Sequence, residues 1–152
     1  MRGLIALAAL IIANPASAEP TGRWWAGFGQ GAFEYGIKND SAGSDSIYMF
    51  CAQDHTYISF SIGGIAPTPG QTVIVTIGSD KFELFVSNLG YFETRSRAGN
   101  ATYGILWAAI RAGANMRVRL PTGQSTNFTL KGAAKVLPRA PCQTDFARTS
   151  PT

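Results

Sequence analysis

Between residues 46 and 86 apolar side chains recur at every second position: Ile47, Met49 and Cys51, then Ile58, Phe60 and Ile62, then Val73, Val75 and Ile77, then Phe82, Leu84 and Val86. A period of two places successive side chains on opposite faces of an extended chain, so these runs are predicted as half-buried strands. The alternation is imperfect, because Phe50, Ile74 and Phe85 put apolar groups on the other face. Turn residues separate the runs, and Ile77-Gly78-Ser79-Asp80 suits a tight hairpin with Gly at the first central position of a type II′ turn. Residues 101–112 break the pattern: Ala101, Ile105, Leu106, Ala109 and Ile110 share one helical stripe, with Asn100 as N-cap and Gly113 as a left-handed stop, which predicts a helix of three turns. The period of two then returns. Met116, Val118 and Leu120 face in while Arg117 and Arg119 face out, and Phe128 and Leu130 face in while Thr129 and Lys131 face out. A short helix over 133–137, closed by Pro138, leads to Cys142. Short strands at this spacing bury one face each most economically in an antiparallel β-sandwich or a partly closed barrel, so the expected fold is mainly β with one three-turn helix and a short C-terminal helix.

A chain of 152 residues, 45% apolar and 14% charged, has room for one folded domain and too little charge for disorder. Its first 18 residues have the form of a cleaved secretory signal: Arg2, an apolar stretch over 4–12, then Ala16-Ser17-Ala18. That stretch is too short to cross a bilayer. The expected organisation is a signal peptide over 1–18, one domain over 19–146 and a flexible tail over 147–152, in a periplasmic or secreted protein with no integral membrane span. An oxidising compartment favours pairing of Cys51 with Cys142, the two cysteines of the chain. Closing a loop of about 91 residues stabilises by roughly 4–5 kcal/mol in the chain-entropy description.

One His and two distant Cys do not make a structural zinc set, and no cofactor motif is present; Gly27, Gly29 and Gly31 have the wrong spacing and setting for a dinucleotide fingerprint. Trp24 and Trp25, in a stretch rich in glycine and aromatics, are read either as an aromatic platform for a glycan or apolar partner or as rings packed on the sheet. His55 is expected as an exposed loop histidine, since its neighbour Asp54 points to the opposite face of an extended chain. The carboxylates at Glu34, Asp40, Asp45, Asp54, Asp80, Glu83 and Glu93 suggest no catalytic dyad, and no catalytic residue is assigned. Charge is asymmetric: residues 19–94 carry three basic and eight acidic side chains, residues 95–152 nine basic and one acidic. Arg117 and Arg119, with Arg111, Lys131 and Lys135 near in sequence, are a candidate surface for an anionic partner, the alternative being a solvated face. Nucleic acid is not expected, because export removes the usual target and no reading motif is present.

Residues 105–120 (ILWAAIRAGANMRVRL) followed by residues 128–137 (FTLKGAAKVL) resemble the invasion-associated locus B family of small exported proteins, in which a helix ending in Gly leads into a strand and a second strand ends in Lys-Gly before a helix. The resemblance covers about a third of the chain, and Ala133 stands where an aromatic is expected after Lys131-Gly132. It implies a β-sandwich exported by a Gram-negative bacterium that acts through contacts with a host or envelope component, and it transfers no catalytic residue. The expected function is therefore an exported, non-catalytic binding protein of the bacterial envelope, with a protein or an anionic envelope component as partner. The alternative is a cell-wall hydrolase or a lysozyme-type inhibitor.

Overall fold

A computed structural model describes residues 20–40 and 42–150; the predicted signal at 1–18 lies outside them. Among the described residues nine strands form two antiparallel sheets. The first has the order β1 (Trp25–Gly29), β2 (Ala32–Lys38), β3 (Ser46–Cys51), β4 (Thr56–Ser61), β7 (Phe92–Glu93). The second has the order β6 (Asp80–Phe85), β5 (Thr72–Ile77), β8 (Asn115–Arg119), β9 (Ser125–Thr129). Neither closes into a barrel, so of the two architectures expected, the sandwich is the one formed. Alternation sets the inner faces: Ile37, Ile47, Met49, Ile58 and Phe60 from one sheet and Val73, Val75, Leu84, Val118 and Phe128 from the other are buried in one core. The β5–β6 hairpin turns at Gly78, whose φ of 60° is the left-handed value its turn position demands.

The helix α1 (Arg97–Ala112) inserts Tyr103, Leu106, Trp107 and Ile110 into this core, with Trp107 edge-to-face on Tyr35. It begins one turn earlier than its apolar stripe. Ser96, not Asn100, is the N-cap, its hydroxyl accepting from the Gly99 amide at 2.9 Å. Gly113 does stop the helix, but at φ −80° rather than in a left-handed conformation. Glycine is required there by close packing, since a Cβ would stand 2.7 Å from Ile77 Cγ2 and 2.8 Å from Leu130 Cδ1. Two short helices follow, α2 (Ala133–Val136) and α3 (Asp145–Thr149).

Cys51, at the inner end of β3, is bonded to Cys142 across a sequence separation of 91, as expected of the pair. Residues 147–150, expected within a flexible tail, belong to α3 and its C-cap. Thr144 caps α3 by accepting from the Ala147 amide, and Arg148 is held by Asp145, Thr56 and the Ala52 carbonyl. Among the described residues no helix is long and apolar enough to cross a membrane.

Candidate functional site

The sandwich presents two outer sheet faces of different chemistry. On the four-stranded sheet the register sets Lys81, Thr76, Arg117 and Asn127 in one cross-strand row and Glu83, Ile74, Arg119 and Ser125 in the next. Arg117 and Arg119 are exposed on this face and, with Lys81, line a shallow depression of about 230 Å³ floored by Ile74 and Thr76. Lys81 is paired with Glu83 at 2.7 Å, which holds the Glu83 carboxyl below its ordinary range. Arg117 donates to the Ser125 hydroxyl at 3.0 Å, and among the described residues neither arginine has an ion-pair partner. Alternate residues of one strand stand about 7 Å apart at their Cα atoms and point to the same face, so both guanidiniums are within reach of one extended anion.

The other three basic candidates belong elsewhere. Arg111 turns its Nε onto the Leu137 carbonyl at 3.1 Å, tying α1 to the end of α2. Lys131 is exposed in the connection from β9, and Lys135 on α2. The depression is lined by neither of these, nor by Arg111, so the continuous basic patch is the Arg117–Arg119 pair with Lys81.

Trp24 and Trp25 are separated by the strand period. Trp24 is buried between the sheets and donates from Nε1 to the Thr129 carbonyl at 2.9 Å, so it is no part of a platform: a side chain that enters the core supplies a hydrogen bond and packing, not a contact surface. Trp25 lies on the outer face of the five-stranded sheet, its indole over Gly36, where a Cβ would come within 2.9 Å of the ring. From Trp25 an aromatic ladder crosses the sheet: Tyr48 at 6.1 Å, then Phe50 and Tyr57 stacked at 5.0 Å, then Tyr91 stacked on Tyr57 at 4.1 Å. These rings use their π-faces on one another. Burial, with the Glu34 carboxylate as a second cause, raises the Tyr57 hydroxyl above its usual pKa.

The ladder ends at His55, which is half-buried rather than an exposed loop residue. Its Nδ1 donates to Asp145 Oδ2 at 2.8 Å, and Nε2 meets the Tyr91 hydroxyl at 3.0 Å. Asp54 is not its partner. The carboxylate that orients it comes from α3, 90 residues away in sequence. Asp145 also accepts from the Thr56 amide at 2.7 Å and from Arg148 Nη1 at 2.8 Å, with Arg95 Nε at 3.7 Å. A buried carboxylate so fully engaged fixes β4, β7 and α3 against one another. The three side chains stand in the order Asp145–His55–Tyr91, and burial first, with Glu93 second, raises the Tyr91 hydroxyl pKa above its ordinary value. The network is a clasp. The chain carried a local signal for α3 alone, Thr144-Asp145, an N-cap followed by an acid in the first helical turn.

A wider concavity, about 670 Å³, lies at the end of the sandwich between the β1–β2 hairpin and residues 138–143, lined by Phe28, Phe33, Tyr35, Pro138, Pro141 and the disulfide among others. Phe28 and Phe33 are exposed there by 68% and 56% and pack edge-to-face at 5.0 Å. Its walls are mostly apolar, and the Arg148 guanidinium that reaches it is already bonded to the protein. No group of His, Cys, Asp and Glu among the described residues is arranged to hold a metal ion.

Residues 22–137 match the family model described as YfjT, which spans most of the chain, and the protein belongs to that family. No curated protein and no solved structure matches it. The likeness to the invasion-associated locus B family has no counterpart in these matches.

Proposed function

We propose that this member of the YfjT family is an exported binding protein of the bacterial envelope, working outside the cytoplasm without catalysis and engaging an anionic partner through Arg117 and Arg119. The observation that carries the reading is their placement on an open sheet face with no carboxylate of their own. Leaving two guanidiniums unneutralised and adjacent creates a positive potential that a phosphate- or carboxylate-bearing surface satisfies. Lys81 adds to the patch, while its bond to Glu83 offsets part of its charge. The Cys51–Cys142 bond supports residence in an oxidising compartment, where such a pair persists. The engaged donors and acceptors around Asp145 support a binding role over a hydrolytic one, because they leave no free base beside a bound substrate.

The test is co-sedimentation of the protein with vesicles rich in anionic phospholipid and, separately, with an acidic polysaccharide, across a salt series. Binding to one of them should weaken steeply with salt, and Arg117→Ala/Arg119→Ala should abolish it. Retention that ignores both salt and the double substitution would remove this face from the account. Turnover of peptidoglycan by the purified protein would replace binding with hydrolysis.

A further inference from the structure

The sandwich has four sheet edges, and three of them are guarded. Along β9, the Thr129 and Asn127 carbonyls are taken by Trp24 Nε1 and Asn39 Nδ2, and the Thr126 hydroxyl donates to Asp45. β6 carries exposed Asp80, Lys81 and Glu83, charges that repel a further strand. β7 is two residues long, carries Glu93 and is followed by Arg95. The fourth edge, β1, reads Trp-Ala-Gly-Phe-Gly and has no charge and no proline.

The free backbone groups of β1 are defined by its hairpin. Gly29 pairs with Ala32 across the turn at Gln30-Gly31, whose φ values of 52° and 79° make it a type I′ turn. In an antiparallel ladder the mutually bonded pairs alternate from that closing pair, so Gly29, Gly27 and Trp25 spend their amides on β2. Ala26 and Phe28 point theirs off the sheet, and among the described residues no backbone group takes them. The outward side chains of β1 are unusual too. Gly27 and Gly29 have neither a positive φ nor a neighbour closer than 3.7 Å to an added Cβ, so nothing inside one copy of the chain requires glycine there. Glycine in a strand costs stability and marks close approach by something else.

We infer that β1 is a self-association edge: two copies pair antiparallel through it about a two-fold axis at Gly27, joining their five-stranded sheets into one. The register follows from the free amides, since Ala26 and Phe28 of one copy must exchange hydrogen bonds with Phe28 and Ala26 of the other. In that register each large side chain meets a small one. Trp25 faces Gly29, Phe28 faces Ala26, and Gly27 faces its own equivalent at the axis, the closely spaced pair where a side chain on both strands would crowd. The five-residue strand is complementary in volume to its own reverse, which is the condition for an isologous contact. The exposed Phe28 and Phe33 rings of each copy line the apolar groove at the same edge, so the paired strands extend an apolar surface already present there. A second copy fits this edge better than a charged peptide, because β1 has no charge with which to recognise one.

Sedimentation equilibrium on the oxidised protein tests this. A monomer–dimer equilibrium indifferent to salt is expected. Ala26→Pro, which removes an edge amide without touching the β2 ladder, and Phe28→Lys, which places charge on the edge, should each weaken dimerisation by about tenfold or more. Both should keep the near-ultraviolet circular dichroism of the parent. If Ala26→Pro loses that signature, Phe28→Lys decides, since its side chain is already solvent-facing. A protein that stays monomeric to millimolar concentration, a dimer that Phe28→Lys leaves intact, or an open-ended series of oligomers would each overturn the assignment. Because β1 and the arginine face are on different sheets, loss of vesicle binding with dimerisation intact, or the reverse, separates this inference from the proposed function.

Discussion

The outer faces of the two sheets are built from the same alternation and put to opposite uses. On the five-stranded sheet every second residue is drawn into contact with its neighbours: Trp25 covers Gly36, Phe50 and Tyr57 stack, Tyr91 stacks on Tyr57, and His55 ties the row to Asp145. On the four-stranded sheet Arg117 and Arg119 are left to solvent, with a single neutral side-chain hydrogen bond between them, from Arg117 to Ser125. A face whose polar and aromatic groups satisfy one another contributes to folding, whereas a face with unneutralised like charges contributes little to folding and is available to a partner. Substitutions on the first should therefore act on stability, and on the second on binding.

The largest effect is expected from Asp145→Ala. It leaves the half-buried Arg148 without its carboxylate, His55 Nδ1 without its acceptor and the Thr56 amide unbonded, and should cost about 3 kcal/mol in denaturant unfolding of the oxidised protein. A loss below 0.5 kcal/mol, within the range of ordinary surface changes, would mean that the clasp is not structural. Tyr57→Ala comes next. It removes the ring between Phe50 and Tyr91, and about 2 kcal/mol is expected from the two stacked contacts and lost burial.

Burial raises the hydroxyl pKa of Tyr103 foremost, and of Tyr57 and Tyr91, above the ordinary value of 10.0. A folded-state pKa above the unfolded one contributes stability that is complete below pH 10 and is lost as pH rises through the folded values. Thermal melts should thus fall in midpoint above pH 10, and Tyr103→Phe should flatten that decline; an unchanged slope would mean the buried phenol does not govern it. The smallest effect on folding belongs to Arg117→Ala/Arg119→Ala, with a midpoint within about 0.5 kcal/mol of the parent. A marked destabilisation would erase the distinction between the two faces.

What could be read in advance followed from local period. The strands over 46–86 and at 116–120 alternate without help from the rest of the chain, and the pairing of Cys51 with Cys142 followed from having two cysteines and the expectation of an oxidising compartment. The start of α1 was missed because the expected stripe ran through Ala101 and Ile105, which face solvent, whereas the buried face runs Gly99, Tyr103, Leu106, Trp107 and Ile110 and opens on a glycine, a poor helix former held there by close approach to the Glu93 carbonyl. Trp24 and Trp25 were treated as a pair although one step along a strand reverses the face, so one ring entered the core and the other did not. The clasp was illegible for a different reason. Its parts, His55, Tyr91 and Asp145, are spread over 90 residues, and nothing local to any of them announces the other two. The arginine pair was legible because both members sit two apart on one strand, while Arg111, Lys131 and Lys135 were grouped with them by sequence distance alone.

A ribosome delivers Cys51 well before Cys142, with α1, β8, β9 and α2 made between them. Until residue 142 emerges, the earlier thiol has no mate to close on. The cross-link therefore records that everything between the two sulfurs has been made and folded together: a product cut short before Cys142 keeps an unpaired sulfur, open to mixed disulfides.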